Sequence, residues 1–335
     1  MTATANLEYS ELPPRVQEDL KSFMPDRAVI EARAQQFRDV QPREPDAEGA
    51  VEVLDGAEFV HHFVRAPGDH ETVLFHYVEA GVPTGETIVF LHGIPDSWYQ
   101  WHHQMAALAG EYRCLAFDLK GYGQSEKSPG DYRHQAAAEQ LVGALDLIGV
   151  DQFNLITHDR GAVQGDYIAA DHAERVLRYA RGEQHLHHFH PDLAPQGRQF
   201  AEAPWSGLMN DPTEFVTFVY TWVATHELPE QEMCRVIQEF SYPDVNHAVP
   251  RYFNSSTFRQ EWIERRQRLI AAWTCPVMII EGHDSKTQPR EFYEHSRDYI
   301  PNAREVAVRF VDSGHFWSME RPDEVTGYLR ELLEM

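Results

Sequence analysis

The sequence has few cysteines, few basic side chains and no long apolar run, and each shortage excludes a class of protein. Its three cysteines, Cys114, Cys234 and Cys275, are far apart, odd in number and without metal-type spacing, which predicts a reducing compartment. Only 29 basic side chains stand against 53 acidic ones, giving a formal charge of −24. This balance argues against nucleic acid or an anionic membrane surface as a partner.

Apolar segments are too short for a membrane protein. No stretch approaches the roughly 20 apolar residues of a membrane span. The N-terminal region carries acidic residues and prolines where a secretory signal needs an apolar run, so we predict a cytoplasmic protein. With 42% hydrophobic residues, 335 residues can bury a core large enough for one main domain with a smaller inserted one.

Four of the histidines stand close together, at His185, His187, His188 and His190. In an extended segment the first two share one face and the other two point elsewhere, which is a poor geometry for one ion. We therefore expect a solvated or pocket-rim histidine patch and no metal site.

The most informative stretch runs from Phe153 to Gly165. The apolar residues 153–156 predict a short buried strand, residues 161–170 predict a helix, and Asp159 lies in the turn between them. Such a turn strains its central residue and raises the side chain above the sheet edge. Free N–H groups at the helix start favour a carboxylate and any negative charge that develops beside it. Asp159 as a plain helix cap is the alternative.

A second strand, residues 88–91, ends in His92-Gly93-Ile94-Pro95. Together with the turn at Asp159, this loop resembles the α/β-hydrolase superfamily. The motifs His-Gly-Ile-Pro and His-Asp-Arg-Gly resemble its aspartate-nucleophile branch, which contains epoxide hydrolases, haloalkane dehalogenases and fluoroacetate dehalogenases. The resemblance covers residues 55–335 apart from the middle.

The resemblance implies an α/β fold, with a mostly parallel sheet flanked by helices and an inserted helical lid. Residues 1–50 are expected to form a helical extension and linker, 51–183 and 256–335 the core, and 184–255 the helical cap. Apolar positions at helical spacing in the extension, Ile30, Ala34 and Phe37, leave open whether it packs on the core domain or on a partner copy in a homodimer.

The resemblance also implies the catalytic residues. Asp159 is the expected nucleophile and His315, on a glycine loop after the last predicted strand, the expected base. Members of the branch place the third residue, an acid, after either of two strands, so we prefer Glu183 and keep Asp284 as the alternative.

The backbone N–H groups of Ile94 and Arg160 are the expected oxyanion hole. The first belongs to the loop motif with His92, Gly93 and Pro95.

The implied reaction forms an alkyl ester on the aspartate, which an activated water then hydrolyses, and it requires no metal or organic cofactor. The only expected partner is a small-molecule substrate. A binding or non-hydrolytic role on the same scaffold is the more distant alternative.

Three departures bear on the substrate. Haloalkane dehalogenases carry Trp where this chain has Arg160, and fluoroacetate dehalogenases carry a second Arg where it has Val163. Several relatives carry a Trp-His pair in the lid, and the similar pair in this chain is Trp205-Ser206, with serine in place of the histidine. Lid tyrosines, of which Tyr252 and Tyr220 are the candidates, donate a proton to the opening ring in epoxide hydrolases. We therefore predict a neutral epoxide as substrate, with a haloalkane or haloacid as the alternative.

Overall fold

The computed structural model describes residues 7–22, 25–68, 72–194 and 205–335, in which nine strands form one sheet. The strands are β1 (Val51–Leu54), β2 (Ala57–Pro67), β3 (Thr72–Gly81), β4 (Thr87–Leu91), β5 (Arg113–Phe117), β6 (Phe153–His158), β7 (Val176–Gly182), β8 (Val277–Gly282) and β9 (Val306–Val311). Their order across the sheet is β1-β2-β3-β5-β4-β6-β7-β8-β9. The pairs β1–β2, β2–β3 and β3–β5 are antiparallel. The pairs β5–β4, β4–β6, β6–β7, β7–β8 and β8–β9 are parallel.

The centre of the sheet is formed by the apolar runs that the sequence analysis singled out. Every residue of β4 and β6 is buried, as expected for parallel strands covered on both faces. The edge strand β1 alternates between exposed and half-buried positions. Because β4 and β6 are parallel neighbours, their carboxyl ends bring the two predicted motif loops together.

Helices follow most of the parallel strands. The α-helices are α1 (Pro14–Asp19), α2 (Arg27–Gln35), α3 (His102–Leu108), α4 (His134–Leu147), α5 (Arg160–Asp171), α6 (Pro212–Val223), α7 (Glu230–Phe240), α8 (Val245–Ala248), α9 (Pro250–Ser255), α10 (Phe258–Glu264), α11 (Ile270–Ala272), α12 (Trp317–Glu320) and α13 (Pro322–Glu334). This arrangement confirms the predicted mostly parallel sheet with flanking helices.

The segment between β7 and β8 contains several helices, most of them after residue 204. Asp211 caps α6 by accepting a hydrogen bond from the Glu214 N–H at 2.9 Å. A capping box of Thr257 and Gln260 begins α10. A π-helical stretch, Arg265–Leu269, lies between α10 and α11.

The N-terminal extension packs on these inserted helices. Ile30, Ala34 and Phe37 are buried, and α2 lies against α6. The apolar face of the extension is therefore covered within the chain itself. Among the described residues, no helix is both long and apolar enough to cross a membrane.

Replacing Gly161 with alanine tests the close approach of β4 to α5. The added methyl carbon would lie 2.5 Å from the carbonyl oxygens of Leu91 and His92, so we expect Gly161→Ala to lower the free energy of unfolding. Such overpacking costs about 1–3 kcal/mol. Gly327 in α13 has no atom within 4 Å of the corresponding position, and Gly327→Ala should stabilise the protein. Urea unfolding measures both, and equal stability of the two variants would contradict the packing.

Candidate active site

Asp159 lies in a strained turn between β6 and α5, with φ 45° and ψ −116°. A non-glycine residue in such a region costs roughly 1–3 kcal/mol and persists only when its surroundings hold it. Gly93, on the loop after β4, faces it so closely that a side-chain carbon there would lie 2.5 Å from the Asp159 Cβ. Any side chain at position 93 would therefore overlap that of Asp159, so the first motif needs glycine there.

The Asp159 carboxylate accepts hydrogen bonds from two sides. The Ile94 N–H donates to Oδ2 at 3.2 Å, and the Gln184 side-chain amide donates to Oδ1 at 3.4 Å. Burial raises the pKa of Asp159, while His315, Arg160 and the N–H groups of Ile94 and Arg160 oppose that rise. Gln184 was not predicted, although its place directly after the strand-end Glu183 was a signal.

His92 and Pro95 shape the loop that carries Ile94. The His92 Nδ1–H donates to the Gly93 carbonyl at 2.8 Å, and its Nε2 accepts the Leu119 N–H at 3.0 Å. Burial lowers the pKa of His92 to about 4, so the ring is neutral and ties the loop to the chain after β5. The peptide bond between Ile94 and Pro95 is cis.

His315 stands between two carboxylates. Its Nδ1 lies 2.9 Å from Glu183 Oε2, and its Nε2 lies 3.9 Å from Asp159 Oδ2. The His315 N–H donates to the Val223 carbonyl at the end of α6, at 2.9 Å. Burial lowers the pKa of His315, so the imidazole is neutral at pH 7 and can accept a proton on the nitrogen that faces Asp159.

Glu183 is held by donors from the loop after β8. Its Oε1 accepts the Gly282 N–H at 2.8 Å, and its Oε2 accepts the Ser285 hydroxyl at 2.7 Å. Burial raises the pKa of Glu183, and these two donors oppose the rise. Asp284, the alternative acid, has a side chain that is 56% exposed and pairs with His283. The structure thus brings Glu183, and not Asp284, to His315.

A cavity of about 30 Å³ opens above Asp159, enough space for one or two water molecules. Its apolar wall is formed by five side chains: Val219, Trp222, Val223, Phe253 and Phe258. Asp159, Arg160, Thr287 and His315 supply its polar groups. An organic substrate requires these walls to separate before it reaches the carboxylate.

The two candidate lid tyrosines do not line this cavity. The Tyr252 hydroxyl donates to the Lys120 carbonyl at 2.8 Å, and the Tyr220 hydroxyl donates to Asp96 Oδ1 at 2.9 Å. Both side chains are buried and committed to these partners, so their predicted role as proton donors is at odds with the geometry. The side chains of Trp205 and Ser206 lie outside the described residues.

Arg160 lines the cavity, and its side chain lies beside two aromatic residues of the wall, whereas the sequence had suggested only a role for its backbone. Its two terminal nitrogens bind the carboxylate of Glu261, on α10, at 3.2 and 2.8 Å. The rings of Phe253 and Phe258 lie 5.3 and 5.0 Å from the guanidinium carbon. Nothing in the local sequence around Glu261 marks it as a partner of a residue a hundred positions earlier.

Two histidine groups lie away from the cavity. The expected solvated or pocket-rim patch is wrong for His185, which is buried with its ring edge against Phe189 and Phe258. Near β1, Asp55, His102 and His103 bring ligand-type atoms within 4.8 Å of one another, the one such group in the described part of the chain. Asp55 already accepts a hydrogen bond from His103 at 2.6 Å.

A family model described as "alpha/beta hydrolase fold" matches residues 86–322. The chain belongs to this family. It is 39% identical over 298 residues to a Siraitia grosvenorii protein named Epoxide hydrolase 3, covering 76% of this chain and 93% of that one. It spans about half the length of several other relatives, 50% to 54% of each.

Solved structures agree with the fold. An epoxide hydrolase from Bacillus megaterium in complex with an inhibitor has a TM-score of 0.71 at 22% identity, covering 82% of this chain and 100% of that one. A haloalkane dehalogenase variant from Bradyrhizobium elkanii has a TM-score of 0.67 at 22% identity, covering 82% and 98%. At this identity the likeness shows the fold, and it confirms the predicted α/β-hydrolase architecture.

Comparing two carboxylates tests which one orients His315. We expect Glu183→Gln to lower hydrolytic turnover by roughly 10²–10⁴-fold, because the neutral amide no longer stabilises the imidazolium that forms. Asp284→Asn should keep most of the activity, since that side chain faces solvent. Steady-state kinetics on both variants, after circular dichroism shows that each is folded, decides the matter. A larger loss in Asp284→Asn would reverse the assignment.

Proposed function

We propose that the protein is a hydrolase that opens a neutral epoxide to a diol through a covalent alkyl ester of Asp159. The observation that carries the proposal is the alignment of Asp159 and His315, which line a cavity with an apolar wall, with Glu183 behind His315. An aspartate in this position attacks an sp³ carbon, where a serine would attack a carbonyl.

The reaction runs in two steps. An Asp159 oxygen forms a bond to one ring carbon while the carbon–oxygen bond of the epoxide breaks, which leaves the ester and an alkoxide. His315 then removes a proton from water, the hydroxide attacks the ester carbonyl, and Glu183 stabilises the imidazolium. The tetrahedral intermediate collapses as its bond to the diol oxygen breaks, and that oxygen takes the proton back from His315. Asp159 is released as the carboxylic acid and returns to solvent the proton that the alkoxide took up. The N–H groups of Ile94 and Arg160 both interact with the Asp159 carboxylate, which supports their role in holding the tetrahedral oxyanion.

The opening ring oxygen needs a hydrogen-bond donor as charge develops on it. Neither Tyr252 nor Tyr220 lines the cavity, whereas Arg160 does. The Arg160 Nε is buried and has no hydrogen-bond partner among the described residues. We assign stabilisation of the ring oxygen to this N–H, and the alkoxide then takes its proton from water.

The charges around the cavity favour an uncharged substrate. Asp159 and Glu261 outnumber the single cation Arg160, and Val163 is a buried apolar residue of α5 where a carboxylate-binding arginine would be needed. The overall charge of −24 offers no general attraction for anions. These features support an epoxide over a haloacid, and the apolar wall suits an apolar substituent.

Isotope labelling tests the covalent ester. In a single turnover in heavy-oxygen water, the water that hydrolyses the ester leaves its oxygen on Asp159. We expect mass spectrometry of the Asp159 peptide to show the mass of one heavy oxygen, with the diol unlabelled in that turnover. Label in the diol alone, with an unlabelled Asp159 peptide, would mean that water attacks the epoxide directly.

A substrate panel tests the choice of epoxide. Terminal and internal epoxides, bromoalkanes, chloroacetate and fluoroacetate are compared, with diol and halide measured separately. We expect diol formation from neutral epoxides to dominate, because the Arg160 Nε–H suits an oxygen leaving group and no second arginine binds a haloacid. Halide release tenfold faster than diol formation, about 1.4 kcal/mol in transition-state preference, would favour a dehalogenase.

A further inference from the structure

Arg160 forms a fully buried ion pair at the wall of the cavity. Its side chain and that of Glu261 are 2% and 3% exposed, and the carboxylate binds both terminal nitrogens of the guanidinium. The Ser256 hydroxyl donates to the same carboxylate at 2.5 Å, and the Arg160 Nη2 that binds Glu261 also contacts His134 Nε2. Glu261 is thus fixed by several contacts and not by the ion pair alone.

This pairing uses most of what Arg160 offers to a ligand. A guanidinium recognises an anion through its full charge and through pairs of parallel N–H groups. Glu261 occupies both terminal nitrogens, and its charge cancels that of Arg160 in a region shielded by Phe253 and Phe258. Among the guanidinium nitrogens, Nε is the one whose N–H has no partner among the described residues.

The balance of charge at the cavity is therefore negative. Asp159 and Glu261 contribute two carboxylates against the one guanidinium of Arg160, and burial lowers the pKa of both His315 and His134, so that neither ring adds a cation. A carboxylate ligand beside Asp159 would meet like charge in a site of low dielectric, where the repulsion is strong. A neutral oxygen meets no such repulsion and satisfies the orphan donor.

We propose that Glu261 determines the charge specificity of the pocket, by cancelling Arg160 and so restricting the site to uncharged ligands that carry a hydrogen-bond acceptor. The inference deepens the proposed function and rests on it for the reaction. The selection by charge concerns binding, however, and it can be measured without turnover.

The experiment compares two pairs of nearly isosteric ligands that differ in charge. Acetate and acetamide are titrated into the whole protein by calorimetry, and glycidate and glycidamide are compared as substrates by their kcat/KM. The wild type should prefer the amide in both pairs. Glu261→Gln should raise the acid-to-amide ratio at least tenfold, because it leaves the Arg160 charge uncancelled.

Two control variants separate this effect from a general change of charge. Glu264→Gln makes the same substitution three residues further along α10, where the side chain is 41% exposed and pairs with Arg268, and should leave the ratio within twofold of the wild type. The double variant Arg160→Gln, Glu261→Gln should lose the gain, since the released cation is then absent.

The proposal can be overturned by the wild-type protein as well as by the variants. A wild type that binds acetate as tightly as acetamide overturns the proposal, even if Glu261→Gln fails to fold. A folded Glu261→Gln with an unchanged ratio, or the same gain in Glu264→Gln, also overturns it. If no epoxide is hydrolysed while the acetate-to-acetamide ratio shifts as expected, the proposed reaction fails and the charge selection stands.

Discussion

The close approach of the β4 loop to the turn at Asp159 is the constraint on which the rest of the site depends. Only glycine fits at Gly93 and at Gly161, because the strand ends and the start of α5 meet there. This packing holds Asp159 in a conformation that a free chain avoids, and it places the Ile94 N–H against the carboxylate. The neutral, buried His92 then ties the same loop to the chain after β5.

The site holds several buried carboxylates, and burial disfavours their charged form. Glu183 and Glu281 are both buried, and burial raises the pKa of each. The Glu183 N–H donates to Glu281 at 2.7 Å, and the charge of Arg181 lowers the pKa of Glu281. Backbone donors and one arginine thus offset charges that solvent would otherwise stabilise. The imidazole of His315 lies next to Glu183 in this group of buried carboxylates.

The sequence predicted those parts of the protein that are determined by residues close together in the chain. The buried runs of β4 and β6 and the turn at Asp159 were readable because their patterns are local. His315 could be predicted because chain order in a parallel sheet fixes which loops meet. The choice between Glu183 and Asp284 stayed open, since both follow strands, and only three-dimensional packing distinguishes a buried carboxylate from an exposed one.

Contacts across the inserted helices were not readable in this way. The resemblance to epoxide hydrolases suggested that Tyr252 or Tyr220 would face the substrate, but packing directs both hydroxyls to other partners. The Tyr220 hydroxyl binds Asp96, whose pKa burial raises to about 8 and which lies two positions after Ile94, the residue proposed for the oxyanion hole.

The helix α6 therefore contacts both reactive loops at once. Tyr220 stacks on Phe316 at 3.9 Å, and the carbonyl of Val223 accepts the N–H of His315. The same helix contributes Val219 and Trp222 to the cavity wall. A displacement of α6 would therefore act on the cavity wall and on the backbone contact of His315 together, because Val219, Trp222 and Val223 belong to the same helix.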